Sequence, residues 1–311
     1  MLPSSLTPSL ESAADAAINN VLRTGAVAVN QKVPTGEVGF VAAFVLGAVP
    51  DIARAWRSIL NPHGYSIRMT GVFCHQTPRA SFTDTSGAPR TCELADLLVV
   101  ADDLTSGSAT TRWAVLVQAK MANANGGQTL SQQGDLTQLD LLSNWPAFSL
   151  PSGFAPGPRD FATCRHAGSA IECGRYGLID GQPNPLWHQQ APAQSMPAGG
   201  DQLGTFIARM LEGRSGYGRE ATGTADDWSR TVDELLKVTA GLAFTYAAGL
   251  KGSHPRGNSA VALVSAPDSP TFGPAQWRSG PPPTGDGSER PVDGPSEGIN
   301  LVHIGLTRPL D

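Results

Sequence analysis

Residues 113–121 read WAVLVQAKM, and the reading of this stretch decides the fold. Apart from Gln118 and Lys120 it is apolar throughout, and its length and Val content suit a strand covered on both faces. Side chains two residues apart on a strand share a face, so Gln118 and Lys120 point together while Val117, Ala119 and Met121 point the other way. A lysine on so apolar a strand needs a partner.

Two strand-like stretches precede it, YSIRMTGVFCHQTPRASF (65–82) and CELADLLVVA (92–101). The connections TDTSGAPRT (83–91) and DDLTSGSATT (102–111) are polar and rich in Gly, Ser and Thr, which suits antiparallel neighbours joined by loops. The expectation is a three-stranded meander in which Asp96 comes to lie beside Gln118 and Lys120. A carboxylate and an amide oxygen are hard donors suited to Mg²⁺ or Mn²⁺. An ammonium group beside them can steady a phosphate or orient an attacking water. These are the parts of a metal-assisted phosphodiesterase.

Helical spacing flanks the strands. SLESAADAAINNVLR (9–23) and GEVGFVAAFVLGAVPDIARAWRSIL (36–60) open the chain as helices, the second interrupted near Pro50. TLSQQGDLTQLDLLSNW (129–145) returns to helical spacing until Pro146 stops it. Residues 146–200 are dense in Pro and Gly, with one strand expected at RYGLID (175–180). Helices are expected over 201–213 and 227–250, strands over 258–266 and 299–307, and a Pro/Gly/Ser-rich stretch over 267–297.

The order helix, three-stranded meander, helix, strand, with Asp96 and then Gln118-x-Lys120, resembles the PD-(D/E)xK, or restriction-endonuclease-like, superfamily over residues 36–145. The resemblance implies an α/β restriction-endonuclease-like core within residues 1–150. Residues 151–311 then form a helical and loop-rich elaboration whose late strands complete the sheet. It implies a nuclease in which Asp96, Gln118 and Lys120 are catalytic and Mg²⁺ or Mn²⁺ sits on Asp96 and Gln118. Some members add a glutamate from the preceding helix; Glu37 is the candidate, with Glu11 behind it and Glu93 as an alternative ligand. Gln118 stands where an acid is most common, so the site carries one negative charge fewer and holds a metal less tightly unless Glu37 or a carbonyl contributes. DNA is favoured over RNA as substrate, and restriction or antiviral defence in bacteria is the implied role. The alternative is a degenerate nuclease fold serving as a scaffold or nucleic-acid-binding subunit.

Other features bound the reading. With 311 residues, a formal net charge of −5, 35 glycines and 25 prolines, the chain is one large, loop-rich domain with too little positive charge for a surface-wide nucleic-acid field. A local basic cleft remains open, for which His75 and Arg79 are candidate contacts, and a partner protein or second copy could supply more of the surface. The four cysteines form no CxxC pair and read as buried thiols. Neither Cys74–His75 nor Cys164/His166 suits a nucleophile and its base, since a base must approach in space rather than along the chain. Ser195 lacks a Gly-x-Ser-x-Gly elbow, and no GxxxxGK[ST] loop occurs. Without a leader-like start or eighteen consecutive apolar residues, the expectation is a cytoplasmic protein with no membrane span. The apolar stripe Trp228, Val232, Leu235, Leu236 and Leu242, and the pair Trp145 and Phe148, read first as core.

Overall fold

WAVLVQAKM lies within a strand, Thr111–Met121, inside a mixed sheet of nine strands. The computed structural model describes residues 2–26, 31–74, 78–105, 111–161, 172–223, 226–241, 261–265 and 298–308. Its helices are α1 (Thr7–Thr24), α2 (Gly36–Ala43), α3 (Val49–Leu60), α4 (Gln133–Asn144), α5 (Leu203–Leu211) and α6 (Asp227–Gly241). The strands of the first half are β1 (Ser66–Cys74), β2 (Arg79–Thr83), β3 (Pro89–Glu93), β4 (Leu97–Asp103), β5 (Thr111–Met121), β6 (Gln128–Thr129) and β7 (Phe148–Ser149). Those of the second are β8 (Gly174–Ile179), β9 (Trp187–Gln190), β10 (Ser195–Met196), β11 (Asp201–Gln202), β12 (Arg219–Glu220), β13 (Val261–Ser265) and β14 (Asn300–Thr307).

The large sheet runs β11, β9, β8, β5, β4, β14, β1, β13, with β12 added alongside β5. β4 and β5 are antiparallel, whereas β5 pairs with β8, and β4 with β14, in parallel. Both faces of β5 are covered. Val115, Val117 and Ala119 join an apolar cluster with Leu10, Phe40, Trp56 and Phe206 of the N-terminal helices and α5. Ala114 and Leu116 join a second cluster with Leu141, Trp145 and Trp228 on the α4 and α6 side. Coverage on both sides is why the sequence of this strand is nearly continuously apolar.

In α1, Leu10, Ala14, Ile18 and Val21 repeat at helical spacing and are buried, and Pro8 lies in the first turn, where its missing N–H costs nothing. Pro50 likewise sits in the first turn of α3 and starts that helix, while Phe44–Ala48 between α2 and α3 wind as a π turn. The helical stretch Gly36–His63 is long and apolar enough to cross a membrane by length and composition, but 67% of its apolar window is buried inside the fold. Its side chains fill the first cluster. The expected core roles of Trp228, Val232, Leu235, Trp145 and Phe148 hold, since all five are buried in the second cluster; Leu242 lies outside the described residues.

The mixed α/β class is as expected, but the meander is not. β14 lies between β1 and β4, antiparallel to the first and parallel to the second. The stretch 65–82 is two strands rather than one: β1 belongs to the large sheet, and β2 forms a separate three-stranded sheet with β3 and β7. CELADLLVVA also divides, because Cys92 and Glu93 end β3 before β4 begins at Leu97. The physical reason is a buried tie made late in the chain. The Asn300 side chain accepts from the Cys74 N–H at 2.7 Å and donates to the Asp96 carbonyl at 2.6 Å, so β14 fills the gap between two strands that adjacency alone would pair. The helix expected from residue 129 begins only at Gln133, since Thr129 pairs with Ser195 in a short strand. Strands from both sides of residue 150 share the large sheet.

Candidate functional site

Leu97 pairs with Val117 across the β4–β5 hairpin, and this register sets Asp96 opposite Gln118. The Asp96 N–H donates to the Val117 carbonyl at 3.1 Å, and the Asn300 tie holds the Asp96 carbonyl. One carboxylate oxygen of Asp96 accepts from the Ala119 N–H at 2.7 Å and also from the Gln118 side-chain amide. Gln118 is 2% exposed and Lys120 9%, so both are held inside the fold.

Lys120 Nζ lies 3.0 Å from Asp135 Oδ1 and 3.7 Å from Glu37 Oε2. Asp135 comes from the first turn of α4 and Glu37 from the first turn of α2, so two helix N-termini deliver carboxylates to the end of β5. Glu37 also accepts from the Met121 N–H at 3.2 Å. The Glu37 and Asp135 side chains keep partial exposure, whereas the Asp96 carboxyl is turned into the fold. A cleft of about 420 Å³, lined by Ala122–Ala124, Gly126 and Asp180–Gln182, begins two residues beyond Lys120, past the ends of the parallel pair β5 and β8.

Burial pushes the Asp96 carboxyl up to about 7; the nearby charges of Glu93 and Glu37 add to this, and the Ala119 N–H and Lys120 oppose it. For Lys120, burial pulls the ammonium down, but Glu37, Asp135 and Asp96 together outweigh it and hold it above the ordinary lysine range. The lysine therefore stays charged, whereas the aspartate titrates near neutrality.

Among the described residues no group of three or more His, Cys, Asp and Glu side chains is placed to hold a metal ion. A cation here would need neutral oxygen donors as well. One is present, because Gln118 Oε1 is buried with no hydrogen-bond partner among the described residues. Leaving such an atom unsatisfied in the interior is costly, and because its own amide nitrogen is bonded to Asp96, a turn of the carboxamide would bring the oxygen beside that carboxylate. The donor chemistry of Asp96 and Gln118 therefore fits a hard divalent cation.

The structure brings Asp96, Gln118, Lys120 and Glu37 together. It does not bring Arg79, which is exposed on β2, donates to the Thr91 carbonyl at 3.2 Å, and makes no hydrogen bond or ion pair with the cluster. His75 lies outside the described residues. Glu11 is engaged with Arg209 Nε at 2.6 Å in the α1–α5 contact, and Glu93 belongs to β3, where it influences Asp96 by charge only. Cys74, Cys92 and Cys173 are buried, and burial pushes the Cys74 and Cys92 thiols up to about 12, which removes those two as thiolate nucleophiles near neutral pH. Cys164 and His166 lie outside the described residues.

Sequence reasoning missed three residues of this site: Asp135, Asn300 and Tyr176. Tyr176 on β8 is the register partner of Gln118 and is fully buried. An acid in the first turn of the helix after β5 was a visible signal for Asp135. Comparison with protein-family models, with curated proteins and with solved structures finds no match to this chain.

Proposed function

We propose that this cluster hydrolyses phosphodiester bonds with a divalent cation, as the PD-(D/E)xK resemblance implies, with DNA favoured over RNA and restriction or antiviral defence as the setting. The observation that carries the proposal is the pairing of the Asp96 carboxylate with the Gln118 amide, whose buried oxygen has no partner among the described residues, two residues along the strand from a lysine held charged. Asp96 and Gln118 would hold Mg²⁺ or Mn²⁺, with Glu37 the nearest further carboxylate. When bound, such a cation acidifies a water and offsets phosphate charge.

The chain's own groups do the rest. Lys120, fixed between Asp135 and Glu37, presents an ammonium that orients the attacking water or pairs with a phosphate oxygen as negative charge builds. Asp135 acts through Lys120 by fixing its direction. The Ala119 N–H and the Asn300 tie keep Asp96 at the head of β4. The net charge of −5 leaves little general attraction for nucleic acid, so a partner protein or a second copy supplies part of the substrate surface.

The test is a cleavage panel of supercoiled plasmid, linear duplex, single-stranded DNA and RNA, with Mg²⁺, Mn²⁺ or chelator. The parent should cut with either metal and stop with chelator, while Lys120→Ala and Asp96→Asn fold and do not cut. A parent inert on every substrate, or a Lys120→Ala variant cutting at the parent rate, overturns the proposal. One observation favours the scaffold reading: the Lys120 side chain is 11% exposed and already occupied by two carboxylates. A parent that binds these nucleic acids without cutting them decides for it.

A further inference from the structure

Two register-paired residues of β5 and β8 carry buried oxygens that have no hydrogen-bond partner among the described residues. Gln118 and Tyr176 are register partners on adjacent parallel strands, so their side chains leave the same face of the sheet. Gln118 Oε1 and the Tyr176 hydroxyl are both buried without a hydrogen-bond partner among the described residues. No direct bond joins them as they stand; strands in a sheet lie about 4.8 Å apart, a spacing that one intervening water, or a small turn of either side chain, can bridge at the tips. Burial, with the charges of Asp135 and Asp96 adding to it, pushes the ionisation of the Tyr176 hydroxyl upward, so it remains a neutral O–H.

A hydroxyl has one proton to give and lone pairs to receive with, whereas a carboxamide gives at one end and receives at the other. With the amide nitrogen of Gln118 on Asp96, its oxygen faces away from the carboxylate and requires a donor. If the oxygen instead turns toward Asp96 to take a cation, the nitrogen moves away and requires an acceptor. Tyr176 can serve in either arrangement. A phenylalanine of the same shape can serve in neither, and the Tyr176 hydroxyl makes no other hydrogen bond among the described residues.

We propose that Tyr176 is the positioning residue for Gln118, satisfying its carboxamide directly or through one water and so allowing Gln118 Oε1 to turn onto a divalent cation beside Asp96. This rests on the cation site proposed above, deepens it, and gives Tyr176 no contact with substrate.

Isothermal titration of Mn²⁺ into the full chain separates the two claims, using the parent, Tyr176→Phe, Gln118→Ala, the double variant and Asp96→Asn, each checked for folding by circular dichroism. Should Gln118→Ala not fold, Gln118→Met keeps the volume. Loss of a partner that orients a metal ligand weakens binding about tenfold or more, and that loss is the expected result for Tyr176→Phe. In the Gln118→Ala background the same change should do nothing further, because the residue it positions is gone. Parent-like binding by Tyr176→Phe overturns the role of Tyr176 while leaving the cation site standing. An equal weakening with and without Gln118 also overturns it, since Tyr176 would then not act through the glutamine. A parent that binds no Mn²⁺, or binds it as Asp96→Asn does, overturns the cation site and this role with it.

Discussion

Replacing Asp96 by Asn should stabilise the protein in a way that depends on pH. In the folded chain the Asp96 carboxyl is pushed from an ordinary 3.8 to about 7, chiefly by burial. The folded state therefore holds this proton roughly a thousandfold more tightly than the unfolded chain, which amounts to about 4 kcal/mol. Below about pH 4 the group is protonated in both states and costs nothing. As pH rises from 3.8 toward about 7, the unfolded chain loses the proton first and stability falls; above that the full cost is present. Asparagine never ionises, and its side-chain oxygen can still accept from the Ala119 N–H and the Gln118 amide. Those bonds become neutral and therefore weaker, and the attraction to Lys120 is lost, so the net gain at pH 8 should be about 2 to 4 kcal/mol. Urea unfolding of both proteins at pH 4, 5.5 and 8 measures it, because other titrating groups largely cancel between them. A difference that stays flat across that range would refute the burial argument. Excess Mn²⁺ at pH 8 should raise the midpoint of the parent and leave that of Asp96→Asn unmoved.

The remaining predictions follow from the same cluster. Protons compete with the cation for Asp96, so the apparent Mn²⁺ affinity should fall by about tenfold for each pH unit below about 7, read by calorimetry between pH 5 and 8. Asp135→Asn removes a partner of Lys120 whose side chain is 25% exposed, and should lower stability by only about 1 kcal/mol while reducing cleavage much more, because the ammonium loses its direction; equal parent and variant rates would count against a positioning role. Asn300→Leu leaves the Cys74 N–H and the Asp96 carbonyl without their partner in the interior, and should cost about 2 to 4 kcal/mol in chemical unfolding.

How much of this was readable beforehand follows contact distance along the chain. The strand at 113–121 was legible because burial on both faces leaves an almost continuous apolar run, and the two polar exceptions were legible as a same-face pair. Asp96 was legible because a hairpin is a local contact: pairing of Leu97 with Val117 needs only the loop between them. Glu37 lies farther off but arrives on a helix whose first turn the sequence marks. What failed was long-range order. No local signal tells that Asn300–Thr307 enters between β1 and β4, and the apparent continuity of 65–82 hid a departure to a second sheet. RYGLID was read as a strand, but its register, which sets Tyr176 beside Gln118, is a property of the assembled sheet. Asp135 depended on the angle at which α4 returns to β5, which spacing does not encode.

Location of a bound metal tests the central claim most directly. Crystals of the parent soaked in Mn²⁺ and measured at the manganese absorption edge should show one anomalous peak between the Asp96 carboxylate and Gln118 Oε1, at about 2.0 to 2.4 Å from both, and none in Asp96→Asn. An empty cluster under saturating Mn²⁺, or manganese bound only elsewhere on the chain, would contradict the account.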